Sequence, residues 1–323
     1  MKLTRDEFER IGTEPPLELF LQGIKAEETR EKYLRTLRQV LCKILDEILE
    51  GDFEQRVEQL VKYGRENPDW TRDLLLNISK KLRQRTELPH NHPDYYNPVS
   101  FGTYFKPIKK LFDMNDITIP WKRIYATFPE IDNVSESRGW SRDEIQRMLQ
   151  FARGSMDRVI VLIAASSGMR AGGFELNWGD VEPIYKKDGK LGFADEEDST
   201  LVCAMVTVYK GTSSSYPTFI TPEAYDALEN YRKSWTDDVG REPKPGDPIF
   251  KRDGPFPRKT GITSIKKRVE RLITHAGLRA PQLKRHRRFD VPMMNGFRRF
   301  WNKACKESLS RDSPLSSLIK KEY

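Results

Sequence analysis

Apolar positions in this chain recur first at helical spacing and only later at strand spacing. Between Glu27 and Ile48, the residues Leu34, Leu37, Leu41, Ile44, Leu45 and Ile48 fall at i, i+3, i+4 intervals, which predicts one long amphipathic helix. Thr4-Arg5-Asp6-Glu7 has capping-box form ahead of it. Asp69-Trp70-Thr71 opens a further helix with Leu74, Leu75 and Ile78 on its apolar face and Lys80, Lys81, Arg83 and Arg85 crowding its end. Thr86 to Pro98, rich in Pro, Asn and His, reads as a loop. Ser100 to Met114 reads as helix, with Phe101, Tyr104, Phe105, Ile108 and Phe112 inward and Lys106, Lys109 and Lys110 outward; Pro107 should kink it or delay its start. From Ile117 to Asp132 the period fades into a connector. The pattern predicts a helical domain over residues 1–135 and a second domain over 136–323.

The second domain mixes helices with a short hairpin. Ser141 and Glu144 form a capping box, with a hydrophobic staple between Trp140 and Ile145. A helix from Met156 through the run Val159 to Ala165 is apolar enough to be buried all round, and it breaks at Ser166-Ser167-Gly168. Leu201 to Tyr209 alternates with period two, Lys210 to Ser215 is a turn with Lys210 at its tip, and Tyr216 to Ile220 returns. Thr221-Pro222-Glu223 starts a helix through Tyr231. Residues 236–261 read as a Gly/Pro-rich loop. Ser264 to Ala276 reads as a helix that buries Ile265, Val269, Leu272 and Ile273 and shows Lys266, Lys267, Arg268 and Arg271. The final helix turns Met294, Phe297, Trp301 and Ala304 to a core and leaves Arg298 at the edge of that face. The fold class is therefore mainly α with a small antiparallel sheet.

Composition narrows the partner. The 323 residues carry a formal net charge of +8, which favours a polyanion, although 48 acidic residues make the surface mixed. Cys42, Cys203 and Cys305 have no CxxC spacing, so neither a disulfide framework nor a zinc site is indicated. His90 and His92 lack a Cys or carboxylate cluster, so no metal is expected. There is no signal peptide at the start, and the longest apolar run is too short for a bilayer. A cytoplasmic protein without membrane contact is expected.

The candidate chemistry lies in three places. Arg170 sits in the turn Met169-Arg170-Ala171-Gly172-Gly173 at the exit of the buried helix, where packing gives an arginine no reason to be. Lys210 is on the hairpin tip. Asn295-Gly296-Phe297-Arg298 heads the last helix. Basic residues that could lie along DNA are Arg83, Lys106, Lys109 and Lys110 in the first domain, and Arg285 and Arg287 in the run Lys284 to Arg288.

In this order and context, these residues resemble the tyrosine recombinase or phage-type integrase family, and its archaeal branch in particular. The resemblance rests on Ser166-Ser167-Gly168-Met169-Arg170 with Trp178-Gly179-Asp180, on Phe219-Ile220-Thr221-Pro222-Glu223, and on Asn295 to Trp301. It implies a helical, SAM-like core-binding domain joined to a mixed α/β catalytic domain. It further implies double-stranded DNA as partner, no cofactor, assembly as a homo-tetramer on paired sites, and a place in the nucleoid.

The implied reaction is site-specific DNA recombination or integration. A tyrosine attacks a phosphodiester to give a phosphotyrosyl link, Arg170 and Arg298 clamp the non-bridging oxygens, and Lys210 protonates the leaving 5′ oxygen. Two departures stand out. Asn295 occupies the family's histidine position, and Gly173 stands where the family has an acid after the first arginine, with Glu175 or Asp180 as candidate supports. Tyr323 arrives too soon after Arg298 for the nucleophile, so the resemblance implies that the nucleophile segment is missing. Whether the chain is an enzyme stays open: the alternatives are a non-cleaving DNA-binding accessory protein of the same fold, or DNA relaxation of the type IB topoisomerase kind.

Overall fold

The computed structural model describes residues 14–89, 92–130, 138–279, 289 and 291–308. The chain divides into two compact units, Met1–Val134 and Ser135–Tyr323. The expected fold class holds: helices dominate, and among the described residues one small antiparallel sheet accompanies them. Thr4 to Glu7, His90, the run 284–288 with Arg285, His286 and Arg287, Pro314 and Tyr323 lie outside the described residues.

The first unit runs through α1 (Pro16–Gln22), α2 (Glu27–Gln39), α3 (Phe53–Glu66), α4 (Pro68–Thr86), α5 (Gly102–Met114) and α6 (Trp121–Tyr125). The long helix expected to Ile48 stops at Gln39 and gives way to one π turn, Val40–Ile44. Leu37, Val40, Leu41 and Leu45 are buried, but Ile48 is 44% exposed. Arg56 holds this ending, donating to the carbonyls of Leu41 (2.9 Å) and Gly51 (2.8 Å) and pairing with Asp46. The Leu41 carbonyl, released from the helical ladder, is thus satisfied by a side chain 15 residues away in sequence.

Helix α4 starts at Pro68, ahead of Asp69-Trp70-Thr71, because Asn67 caps the Trp70 N–H and Pro68 takes the first position. Pro107 sits buried inside α5, and the start is delayed past Ser100 by a 3-10 turn, Pro98–Ser100. The connector after Ile117 contains α6, which buries Trp121 and Ile124.

The second unit is built round α8 (Ser155–Ser167). It packs against α7 (Arg142–Gln150), α9 (Pro222–Val239), α10 (Ile262–His275), α11 (Met293–Ser308) and the sheet. Val159, Ile160, Val161 and Ile163 are all fully buried, as a helix surrounded on every side requires. The sheet order is β2-β1-β3-β4, with β1 (Val181–Lys187), β2 (Lys190–Gly192), β3 (Thr200–Val208) and β4 (Tyr216–Ile220), every pair antiparallel. The β3–β4 hairpin follows the alternation in the sequence; β1 and β2 do not announce themselves. Helix α9 continues past Tyr231 to Val239, burying Trp235, so the loop expected from 236 begins only at Gly240 in left-handed conformation.

Four expected side-chain placements change. Arg268 is half-buried and paired with Asp157 (3.0 Å) and Asp253 (3.5 Å) instead of facing solvent. Ala304 faces solvent and not the core. In the first unit Lys109 and Lys110 are half-buried: Lys109 pairs with Asp113 at 3.3 Å and lies over the Trp121 ring, while the Lys110 stem lies against Gly23.

The strap that opens the second unit fixes α11. Trp140 is buried, its indole Nε1 donates to the Met293 carbonyl (2.9 Å), and its backbone N–H donates to the Gly296 carbonyl (3.1 Å). The capping box forms as expected, with Ser141 accepting from the Glu144 N–H and Glu144 accepting from the Ser141 N–H. Arg138 adds a two-pronged contact to the same carboxylate, both distances 2.7 Å, and pushes the Glu144 pKa down to about 2.

A folded-state pKa below the unfolded value means stability that is complete above about 4.5 and is lost as pH falls toward about 2. Arg138 is half exposed, so screening reduces the effect to on the order of 1 kcal/mol. Urea denaturation of Glu144→Gln, which keeps the hydrogen-bond acceptor, should show that deficit at neutral pH and a much smaller one near pH 2. A deficit that does not shrink on acidification would refute the charge contribution.

Candidate functional site

The site begins at the exit of α8. Gly168 ends that helix with φ +62°, and a Cβ there would run into the Trp301 ring of α11. The position needs glycine for both backbone hand and space. The carbonyls at this helix end are claimed by side chains from far away: Thr218 Oγ1 donates to Ser167 O at 2.7 Å, and Arg298 Nη1 donates to Gly168 O at 3.2 Å. A cation there also suits the negative end of the helix dipole.

Arg170 follows two residues later. Its backbone is extended (φ −72°, ψ 160°), its carbonyl accepts from the Gly173 N–H at 2.8 Å, and its side chain is exposed. Arg298 is half-buried, and its contact to Gly168 brings it to the same helix exit. The two arginines expected to act together are therefore brought to one turn from positions more than a hundred residues apart. Asn295 lies one helical turn before Arg298 on α11 and is exposed.

Lys210 reaches this neighbourhood by way of the hairpin. Tyr209 adopts φ +54° and Gly211 φ +80°, and the turn is closed by the Thr212 N–H and hydroxyl on the Tyr209 carbonyl. Tyr209 lies against the Arg170 turn, its hydroxyl 2.8 Å from where a Cβ on Gly172 would be. Lys210 Nζ donates to Gly179 O (2.8 Å) and lies 3.7 Å from Asp180 Oδ1, with its side chain about half exposed. An ion pair of that exposure is worth at most about 1 kcal/mol, so Lys210 can leave it readily for a stronger anion.

The two candidate acidic supports have these partners. Asp180 accepts from the Asn177 N–H at 2.8 Å and faces Lys210, and Glu175 pairs with Lys259 at 3.1 Å. What the sequence did not signal was the part of Gly179, whose carbonyl holds the lysine, and of Trp301, whose ring demands Gly168. Of the wider DNA-facing candidates, Arg83 and Lys106 are exposed. Among the described residues, no group of three or more His, Cys, Asp or Glu side chains is placed to hold a metal ion. Nor is any helix there long and apolar enough to cross a membrane.

No protein-family model and no curated protein matches the chain by sequence. The likeness is one of fold. A lambda integrase(75-356) dimer bound to a COC′ core site matches with a TM-score of 0.54 at 15% identity, over 98% of this chain and 93% of that one. XerA recombinase matches at 0.38 and 15% identity, over 94% and 91% of the two chains. XerH site-specific recombinase bound to difH substrate, a pre-cleavage complex, matches at 0.42 and 15% identity, over 95% and 94%. The chain thus shares its fold with lambda integrase across nearly its whole length.

Gly168→Ala should cost about 3 kcal/mol, part from the left-handed backbone and part from the ring. Introducing Trp301→Ala beside it should remove the second part, leaving about 1 to 2 kcal/mol in a double-mutant cycle read by denaturant unfolding. Strict additivity of the two substitutions would show that the ring does not lie over the turn.

Proposed function

We propose that this protein binds duplex DNA and breaks and rejoins it at specific sites through a phosphotyrosyl intermediate. The observation that carries the reading is the convergence of Arg298 on the carbonyl of Gly168, two residues from Arg170, with the Lys210 turn packed against Gly172. A guanidinium pair matches the charge spread of a pentacoordinate phosphate without a metal. In this reading a tyrosine oxygen bonds to phosphorus while the bond to the 5′ oxygen breaks. Lys210 gives its proton to that oxygen, the tyrosine proton passes to solvent, and a 5′ hydroxyl of a second strand reverses the step. The nucleophile is not assigned to a described residue, and Tyr323 lies outside them. The lambda integrase dimer that shares this fold is bound to a core site, which supports a duplex partner. Assembly on paired sites belongs to the same reading.

One observation favours a second reading. Asn295, at the head of α11, can donate and accept a hydrogen bond but cannot exchange a proton, which suits a DNA-binding protein of this fold that does not cleave. Relaxation of supercoiled DNA without paired sites is the third outcome.

The protein with whatever residues naturally follow Tyr323, incubated with a pool of nicked duplexes, should give a covalent protein–DNA adduct on a denaturing gel. Arg170→Ala and Arg298→Ala should each lower adduct formation a hundredfold or more, about 3 kcal/mol, with duplex affinity largely retained. A sulfur in place of the bridging 5′ oxygen leaves without a proton and should restore Lys210→Ala but neither arginine variant. Binding without adduct selects the second reading, and failure to bind duplex at all removes both.

A further inference from the structure

The loop 251–260, between α9 and α10, is held far more firmly than a connector needs to be, and it displays an aromatic ring among cations. Lys251 is 2% exposed; its ammonium donates to the Gly254 carbonyl (2.9 Å) inside the loop and to Asp238 (2.8 Å) on α9. Burying an ammonium carries a desolvation penalty that a turn between two helices does not require. Further bonds cross the loop: Arg252 N–H to Arg258 O (2.7 Å), Arg258 N–H to Phe256 O (2.7 Å) and Thr260 N–H to Phe250 O (2.9 Å). Pro255 and Pro257 restrict the backbone on either side of Phe256.

At the tip Phe256 is 65% exposed, with the Arg258 guanidinium 5.5 Å from its ring centroid. A single exposed phenylalanine needs no explanation. One stiffened by flanking prolines and a buried lysine, with Arg252, Arg258 and Lys259 exposed around it, is a prepared surface that loses little further entropy on binding. Lys259 also ties the loop to Glu175, just after the Arg170 turn, so the surface borders the candidate site. Exposed Lys266 and Lys267 in α10 extend the positive charge away from it.

We infer that the 251–260 loop is a second DNA contact, in which Arg252, Arg258 and Lys259 meet phosphates flanking the reacting one and Phe256 lies against a base or sugar. Cations and an aromatic side chain both find partners on a duplex: phosphate for the first, a deoxyribose or the apolar edge of a base for the second. This inference rests on the DNA reading above, but its test does not depend on cleavage.

Binding of the full chain to a labelled mixed-sequence duplex, followed across salt concentrations, separates the two contributions. Phe256→Ala should weaken affinity roughly tenfold, as losing part of the burial of a phenylalanine would, with the salt slope unchanged. Arg258→Ala should weaken it while reducing the magnitude of the slope by about one. Phe256→Trp, read by tryptophan emission against the unaltered protein, should report a change at saturating duplex. An unchanged affinity in Phe256→Ala, or an indole in the Phe256→Trp variant that is blind to bound DNA, overturns the loop assignment alone. If the unaltered chain binds no duplex, this assignment and the proposed function fall together.

Discussion

The contact on which the second unit depends is the one between Arg298 and the carbonyl at the left-handed end of α8. A helix surrounded by other elements cannot leave its last carbonyls to water, so their partners must come from side chains. Here one is a hydroxyl from β4 and the other a guanidinium from α11. The same requirement that completes the helix therefore delivers an arginine to the turn that carries Arg170. Gly168 makes this possible, since any side chain there would displace Trp301 and with it the helix that holds Arg298. A purely structural account of Arg298, as a cation capping a helix end, is thus true as far as it goes. It does not account for Arg170, exposed in a turn where the backbone needs no arginine.

The second constraint acts from the other side. Trp140 hydrogen-bonds the first turn of α11 through both indole and backbone, and Gly296 is small because the Trp140 indole crosses it, 2.6 Å from where a Cβ would be. Helix α11 is held between that strap and the end of α8, which fixes the direction in which Asn295 and Arg298 project. Lys210 is positioned differently. Its turn is rigid, but its own side chain is held by one carbonyl and a partly screened carboxylate. One guanidinium held at the helix end, a second exposed two residues beyond that end and one releasable ammonium are the groups the proposed reaction would use.

Much of this was legible in the sequence, and the misses have physical causes. The α8 run, the Ser141 capping box and the β3–β4 alternation are local patterns, and local patterns survive folding. Strand β1 was hidden because Pro183 and the bulge between Ile184 and Tyr185 break its period, and Lys186 and Lys187 place charge where an alternating strand would show apolar side chains. The π turn after Gln39 was unreadable because its apolar spacing still suits an α-helix; the Arg56 bond that supports it comes from the next helix. In the candidate site, Arg170, Lys210 and Arg298 are proposed from their contexts and from the resemblance. The contact that unites the two arginines joins residues 130 apart, which no window along the chain contains.

Net charge is a poorer guide than the fate of each cation. Arg268, Lys251 and Arg56 count toward the +8, yet all three are held by carboxylates and carbonyls of the fold itself. Lys109 and Lys110 lie half-buried against their own unit. Lys106, Arg83 and Arg252 remain exposed. A polyanion meets only what the fold has left available, so affinity should follow this smaller set. For any nucleic-acid partner, the formal excess of basic residues overstates the phosphate contacts the surface can make, because each released counterion requires a cation that can reach the polyanion.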